Sequence, residues 1–142
     1  MIEVKRVTHE FSVAAQPSKE DIAQLAQQGY RTLINNRNPG ESRDQLSPDQ
    51  ERLEAQQQGL TYVHIPITGN NLSKRDVEAF QRAIAESPKP VLAHCQGGKR
   101  SFLLWAAGEA LSGRDEPQHL IARGAELGYD LQTLPDHLKT LR

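Results

Sequence analysis

One cysteine in 142 residues leaves no partner for an internal disulfide and no second thiolate for a zinc cluster. Cys95 is therefore either a reactive thiol or a small buried hydrophobe. Long apolar runs are also missing: the longest, FLLWAAG from Phe102, is far too short to cross a bilayer, and the opening MIEVKRVTHE is too polar for a signal peptide. There is no basic block, and the formal net charge is -1, so the chain has no electrostatic footprint for nucleic acid or an anionic membrane. His9, His119 and His137 are scattered without ligand spacing, so no metal is expected. Gly97-Gly98 is too short for a dinucleotide or triphosphate loop, and no cofactor is expected. With 37% apolar and 25% charged residues, the composition suits one globular, cytoplasmic domain spanning residues 1–142.

What is present alternates short β-branched runs with helical patterns. Val4 to Ala15 reads as one or two strands. Ser18 with Asp21 caps a helix that places Ile22 and Leu25 on one face and ends at Gly29. RTLIN from Arg31 is a strand that runs into the polar turn NRNPGESRDQ. Ser47-Pro48 opens a second helix, closed by Gly59, and LTYVHIPI forms the next strand. Ser73 opens a third helix, with Asp76 as its capping partner and Val77, Phe80 and Ile84 recurring on one face. KPVLAH is a short strand, and FLLWAAGEAL after Arg100 is a helix apolar on nearly all sides, as expected of one in the middle of a fold. From Asp115 onward two more helices are predicted, separated near Gly128. This order predicts an α/β domain with a central, mostly parallel sheet of four to five strands flanked by helices. Ligands in such sheets lie at the carboxyl ends of the strands, which singles out Asn35–Glu41 and Cys95–Arg100.

The second of these loops carries chemistry. A strand, a short glycine-containing loop and a helix turn successive backbone N–H groups inward into an anion-binding nest. Gly97 and Gly98 are expected to supply the positive φ values of that curl. Cys95 would face the N-terminus of the helix, where amide dipoles favour a thiolate. The nest would consist of Gln96, Gly97, Gly98, Lys99 and Ser101, with Ser101 either hydrogen-bonding the thiolate or capping the helix. The Arg100 guanidinium would grip an oxyanion with two parallel hydrogen bonds. His94 is expected to orient the loop through a backbone hydrogen bond rather than act as a base. Asn36 and Arg37 sit at a strand end facing the loop: Arg37 either adds positive charge for an anionic substrate or lies in water on a turn held by asparagine side chains. His64 reads as a satisfied structural histidine and Trp105 as packing.

The strand-His-Cys loop with its arginine, serine and buried helix resembles the signature of the protein tyrosine and dual-specificity phosphatases. Those enzymes place one residue more between cysteine and arginine than the four found here, Gln96, Gly97, Gly98 and Lys99. C-x-x-G-x-R, read as Cys95, Gly98 and Arg100, instead resembles the loop of the rhodaneses, which carry sulfane sulfur as a cysteine persulfide. INNRNPGE, YVHIPIT, DVEAFQRAI and PVLAHCQGGKRS together resemble the bacterial beta-lactamase hydrolase-like proteins, whose phosphatase-like domain occurs alone or fused to a persulfide dioxygenase. The resemblance implies a dual-specificity-phosphatase-like fold and an activity divided between sulfur transfer and phosphate hydrolysis. Pro66 to Asn71, matching the loop from which the phosphatases take an aspartate as general acid, holds no carboxylate. Sulfite or a thiolate leaves without such an acid. The expected activity is thus a rhodanese-like sulfurtransferase in which Cys95 takes sulfur from thiosulfate or glutathione persulfide and passes it to a thiol acceptor, with a persulfide dioxygenase as a further partner. The alternatives are a phosphatase working through a Cys95 phosphocysteine and a non-catalytic module that binds an anion or persulfide.

Overall fold

The structure is a computed structural model, and it describes residues 1–68 and 71–142. Gly69 and Asn70, within the stretch expected to lack a general acid, lie outside the described residues. Five strands form one sheet: β1 (Val4–Arg6), β2 (Phe11–Ala14), β3 (Thr32–Asn35), β4 (Thr61–His64) and β5 (Val91–His94). Their order is β1-β2-β5-β3-β4, antiparallel only between β1 and β2. The expected mostly parallel sheet is therefore found, with the stretch from Val4 to Ala15 forming two strands. β4 stops at His64, two residues short of Pro66.

Alternation along the strands sorts side chains between two layers. Val91 and Ala93 of β5, with Phe11 and Val13 of β2, face the larger core beneath α3 (Lys74–Glu86), α4 (Lys99–Leu111), α5 (Pro117–Glu126) and α6 (Leu134–Leu141). Leu92, with Leu33 of β3, faces a smaller core under α1 (Lys19–Gln27) and α2 (Pro48–Gln57). The alternation carries His94 to that second face. α4 is buried almost throughout, and Trp105 stacks on Phe11 at 6.1 Å, so it is packing. Ser18 and Asp21 form a reciprocal capping box on α1, and Ser47 with Gln50 does the same on α2. Ser73 caps α3 by accepting from the Asp76 backbone N–H at 3.1 Å.

β5 occupies the middle of the sheet, paired to β2 on one side and β3 on the other. Cys95 follows its last residue, at the carboxyl end where the chain order reverses, which is the crevice expected of an open parallel sheet.

Candidate active site

The loop from Cys95 to Gly98 is held by what lies beneath it. α4 begins at Lys99, earlier than the apolar pattern suggested, with Gly98 as its cap at φ +97°. Only Gly98 of the glycine pair adopts positive φ, which corrects the expectation for Gly97. A β-carbon on Gly98 would meet the Tyr129 hydroxyl at 2.1 Å, so glycine is required for space as well as for conformation. Tyr129 donates to the Gly97 carbonyl at 3.1 Å, and burial, followed by the nearby Cys95, pushes its phenol up to about 12. Sequence reasoning had no signal for Tyr129. The Cys95 side chain is buried, and its Sγ accepts the Gly98 N–H at 3.0 Å, the inward-pointing amide expected of the nest.

Arg100 reaches back toward the loop, where its fork is already occupied. Its two terminal nitrogens donate to Oε1 and Oε2 of Glu41 at 2.7 and 2.8 Å, and one also donates to the Ile67 carbonyl at 2.9 Å. Glu41 first, and then the neighbouring Cys95, raise the Arg100 pKa above its ordinary value. The same carboxylate accepts from Nε of Arg37 at 3.0 Å. Hydrogen bonds from Arg100, the Asn38 N–H and Arg37 hold Glu41 well below the usual carboxylate range despite burial, so it is an anion. Glu41 was legible only as the end of a loop placed at the sheet's carboxyl edge.

Arg37 does not lie in water, which corrects one of its two expectations: its side chain is buried and paired with Glu41. The asparagine turn does form: Asn35 Oδ1 accepts the Arg37 N–H at 2.8 Å. Asn36 is wholly buried, donating to the Ile65 carbonyl and accepting from the Ser101 hydroxyl at 2.7 Å. Ser101 therefore ties α4 to the end of β3. It provides no side-chain cap for the helix, and its hydroxyl is spent on Asn36 rather than on the thiolate. His64 is satisfied by the Arg37 carbonyl at 2.8 Å, as a structural histidine.

His94 orients the loop by a different route from the backbone hydrogen bond expected. Its Nε2 donates to Oε2 of Glu51, from the first turn of α2, at 2.7 Å, and both side chains are shut off from solvent. Nδ1 is the buried side-chain atom left without a partner among the described residues. Burial raises the Glu51 pKa, but hydrogen bonds and charge from His94, with help from Gln16, bring it below the ordinary value. Gln16 donates to Glu51 at 2.9 Å and accepts from Arg37 at 3.0 Å. A closed circuit results: Arg100, Glu41, Arg37, Gln16, Glu51 and His94, with His94 covalently next to Cys95. It leaves the Cys95–Arg100 loop at one end and returns at the other.

Above the thiol lies a cavity of about 430 Å³, lined by Cys95, Gln96, Gly97, Lys99, Arg100, Leu103, Thr133 and His137. That volume falls in the range of sites for organic ligands rather than bare inorganic anions. Thr133 and His137 come from the start of α6; Thr133 carried no signal in the sequence, and His137 stood there only as one of three scattered histidines. Among the described residues no cluster of three or more His, Cys, Asp or Glu side chains could hold a metal ion, and no helix is long and apolar enough to cross a membrane.

Comparison with known proteins agrees with this arrangement. A Neisseria meningitidis Z2491 protein, provisionally named a phosphatase, is 32% identical and superposes with a TM-score of 0.86 over 97% of both chains. The catalytic domain of a PP-IP phosphatase from S. cerevisiae, only 12% identical, shares the fold at a TM-score of 0.76, covering 98% of this chain and 85% of its own. Beta-lactamase hydrolase-like proteins of Xylella fastidiosa and Agrobacterium fabrum are 35% and 37% identical over 88% and 89% of this chain. The chain spans 29% of the length of these curated relatives. A sequence model described as "Beta-lactamase hydrolase-like protein, phosphatase-like domain" matches residues 3–112. The chain belongs to that family, on a fold shared with the tyrosine and dual-specificity phosphatases.

Proposed function

We propose that the protein is a cysteine-dependent phosphomonoesterase. The observation that carries this reading is the seat made by Arg100: beside the cavity above Cys95, its fork holds two carboxylate oxygens at 2.7 and 2.8 Å, as it would hold two oxygens of a phosphoryl group. The family and the structural neighbours support it, so the phosphatase alternative now stands ahead of sulfur transfer. Cys95 attacks phosphorus and the ester oxygen leaves, giving a phosphocysteine. Water then attacks phosphorus, releasing phosphate and restoring the thiolate. Arg100 and the loop amides stabilise the charge on the equatorial oxygens in both steps.

Sulfur transfer remains the second reading, favoured by the four residues between Cys95 and Arg100 and by the lack of a carboxylate from Pro66 to Asn71. In it, Cys95 takes the outer sulfur of thiosulfate or glutathione persulfide, and a thiol acceptor removes it. Two assays on wild type and Cys95→Ser separate the readings. Hydrolysis of aryl phosphates by the wild type alone, inhibited by vanadate, supports the phosphatase. Gain of one sulfur atom by Cys95 without ester hydrolysis would replace it with the sulfurtransferase, and sulfur loading without onward transfer would point to a binding module.

A further inference from the structure

A phosphatase whose general-acid loop lacks a carboxylate still has to protonate a poor leaving group. Among the eight residues that line the Cys95 cavity, Gln96, Gly97, Leu103 and Thr133 have no proton to exchange. Cys95 is the nucleophile, Arg100 is the clamp for the phosphoryl oxygens, and Lys99 lines the cavity from an exposed position at the start of α4. Glu41, the nearest carboxylate to Arg100, is clamped as an anion by two guanidiniums. That leaves His137. It is half-buried in the wall, its backbone fixed in the first turn of α6 by a hydrogen bond to the Thr133 carbonyl, and its imidazole has no hydrogen bond or ion pair among the described residues. Histidine is the side chain best suited to take up and release a proton near neutrality.

We infer that His137 is the proton donor to the leaving group, an inference that rests on the phosphatase reading. In the first step the S–P bond forms, the P–O ester bond breaks, and the imidazolium proton passes to the departing oxygen. In the second the neutral imidazole takes a proton from the attacking water as the S–P bond breaks, so both groups return to their starting states. The organic body of the substrate lies along Leu103 and Thr133, on the wall that α6 completes. The substrate class is a phosphate monoester of an organic alcohol or phenol large enough to span a cavity of about 430 Å³. His137 and Thr133 fall outside residues 3–112, so this acid lies beyond the part matched by the family model.

Leaving-group dependence tests it. Wild type, His137→Ala and His137→Gln are assayed on phenyl phosphate, a poor leaving group, and p-nitrophenyl phosphate, a good one. Both variants should lose about 10²-fold or more in kcat/KM on phenyl phosphate. On p-nitrophenyl phosphate kcat/KM, which reports only as far as the loss of a leaving group that needs no acid, should stay close to wild type. In contrast kcat, which includes hydrolysis of the phosphocysteine, should fall on both esters. The ratio of the two rates is the readout, and it does not depend on the fraction of enzyme folded. Equal losses in kcat/KM on both esters, no loss on either, or a Gln variant that matches the wild type on phenyl phosphate would overturn the assignment. A wild type that cleaves neither ester would instead remove the phosphatase reading itself.

Discussion

Nε2 of His94 and Oε2 of Glu51 lie 2.7 Å apart with neither side chain exposed to solvent. A buried carboxylate and its histidine partner contribute little net stability while paired, but removing one strands the other. Glu51→Ala leaves a buried ring nitrogen unpaired and should destabilise the fold by about 1–3 kcal/mol in chemical denaturation. Glu51→Gln, which keeps the shape and a hydrogen bond, should lose clearly less. Equal stability of Glu51→Ala and wild type would mean that His94 needs no partner.

Glu41 occupies the Arg100 fork, which on the phosphatase reading receives the phosphoryl group. Glu41→Gln weakens this internal competitor, so vanadate and phosphate should bind more tightly and KM should fall. Arg37, buried and robbed of its counter-charge, should at the same time lower the Tm. A rise in KM would identify Glu41 as a support for Arg100 rather than its rival.

Acid should act through the same carboxylate. Because the folded-state pKa of Glu41 is depressed by Arg100 and Arg37, its contribution to stability is complete above the pKa it has when unfolded and is lost as pH falls toward the folded value. Unfolding free energy should therefore decline below the ordinary carboxylate range, and more shallowly in Glu41→Gln. An unchanged slope would show that the guanidiniums do not hold Glu41 in solution.

Gly98→Ala places a methyl group against the Tyr129 hydroxyl at 2.1 Å and a side chain at φ +97°. Activity should fall sharply, and stability by about 1–3 kcal/mol. Tyr129→Phe removes the colliding oxygen, so the double variant should be less damaged than the sum of the single changes. Strict additivity would mean that backbone strain alone is responsible.

Arg100→Lys preserves charge but loses the fork. The expected loss is about 10²–10³-fold in kcat, the scale for removing a transition-state oxyanion donor. A fully active lysine variant would show that a point charge is enough.

The layout of strands, the helix caps and the Cys95 loop were legible because each rests on residues adjacent in the chain. Ser18 meets Asp21 within one turn, and the strand, Gly98 and α4 follow one another directly. The rest of the site was hidden because its contacts join distant segments. Glu41 reaches Arg100 across 59 positions, Glu51 reaches His94 across 43, and Tyr129 reaches Gly97 across 32. Glu51 looked like any acid in a first helical turn, where the dipole alone explains it. Arg37 was misjudged for a related reason: burial of an arginine depends on its partners, and none of them was identifiable. His137 carried no local mark, since its role depends on how α6 packs against α4.

The cavity combines two parts of very different mechanical standing. Cys95 directly follows the innermost strand, which is hydrogen-bonded on both edges and is the kind of segment that opens only when the whole domain unfolds. The opposite wall belongs to α6, an eight-residue helix packed on α4 and α5 rather than paired into the sheet. Reactive-atom placement and substrate shape are thus governed by separate structural units. Exchanging α6 between relatives should alter which esters are accepted while leaving the nucleophile's seating intact, a modular division of labour within a single small domain.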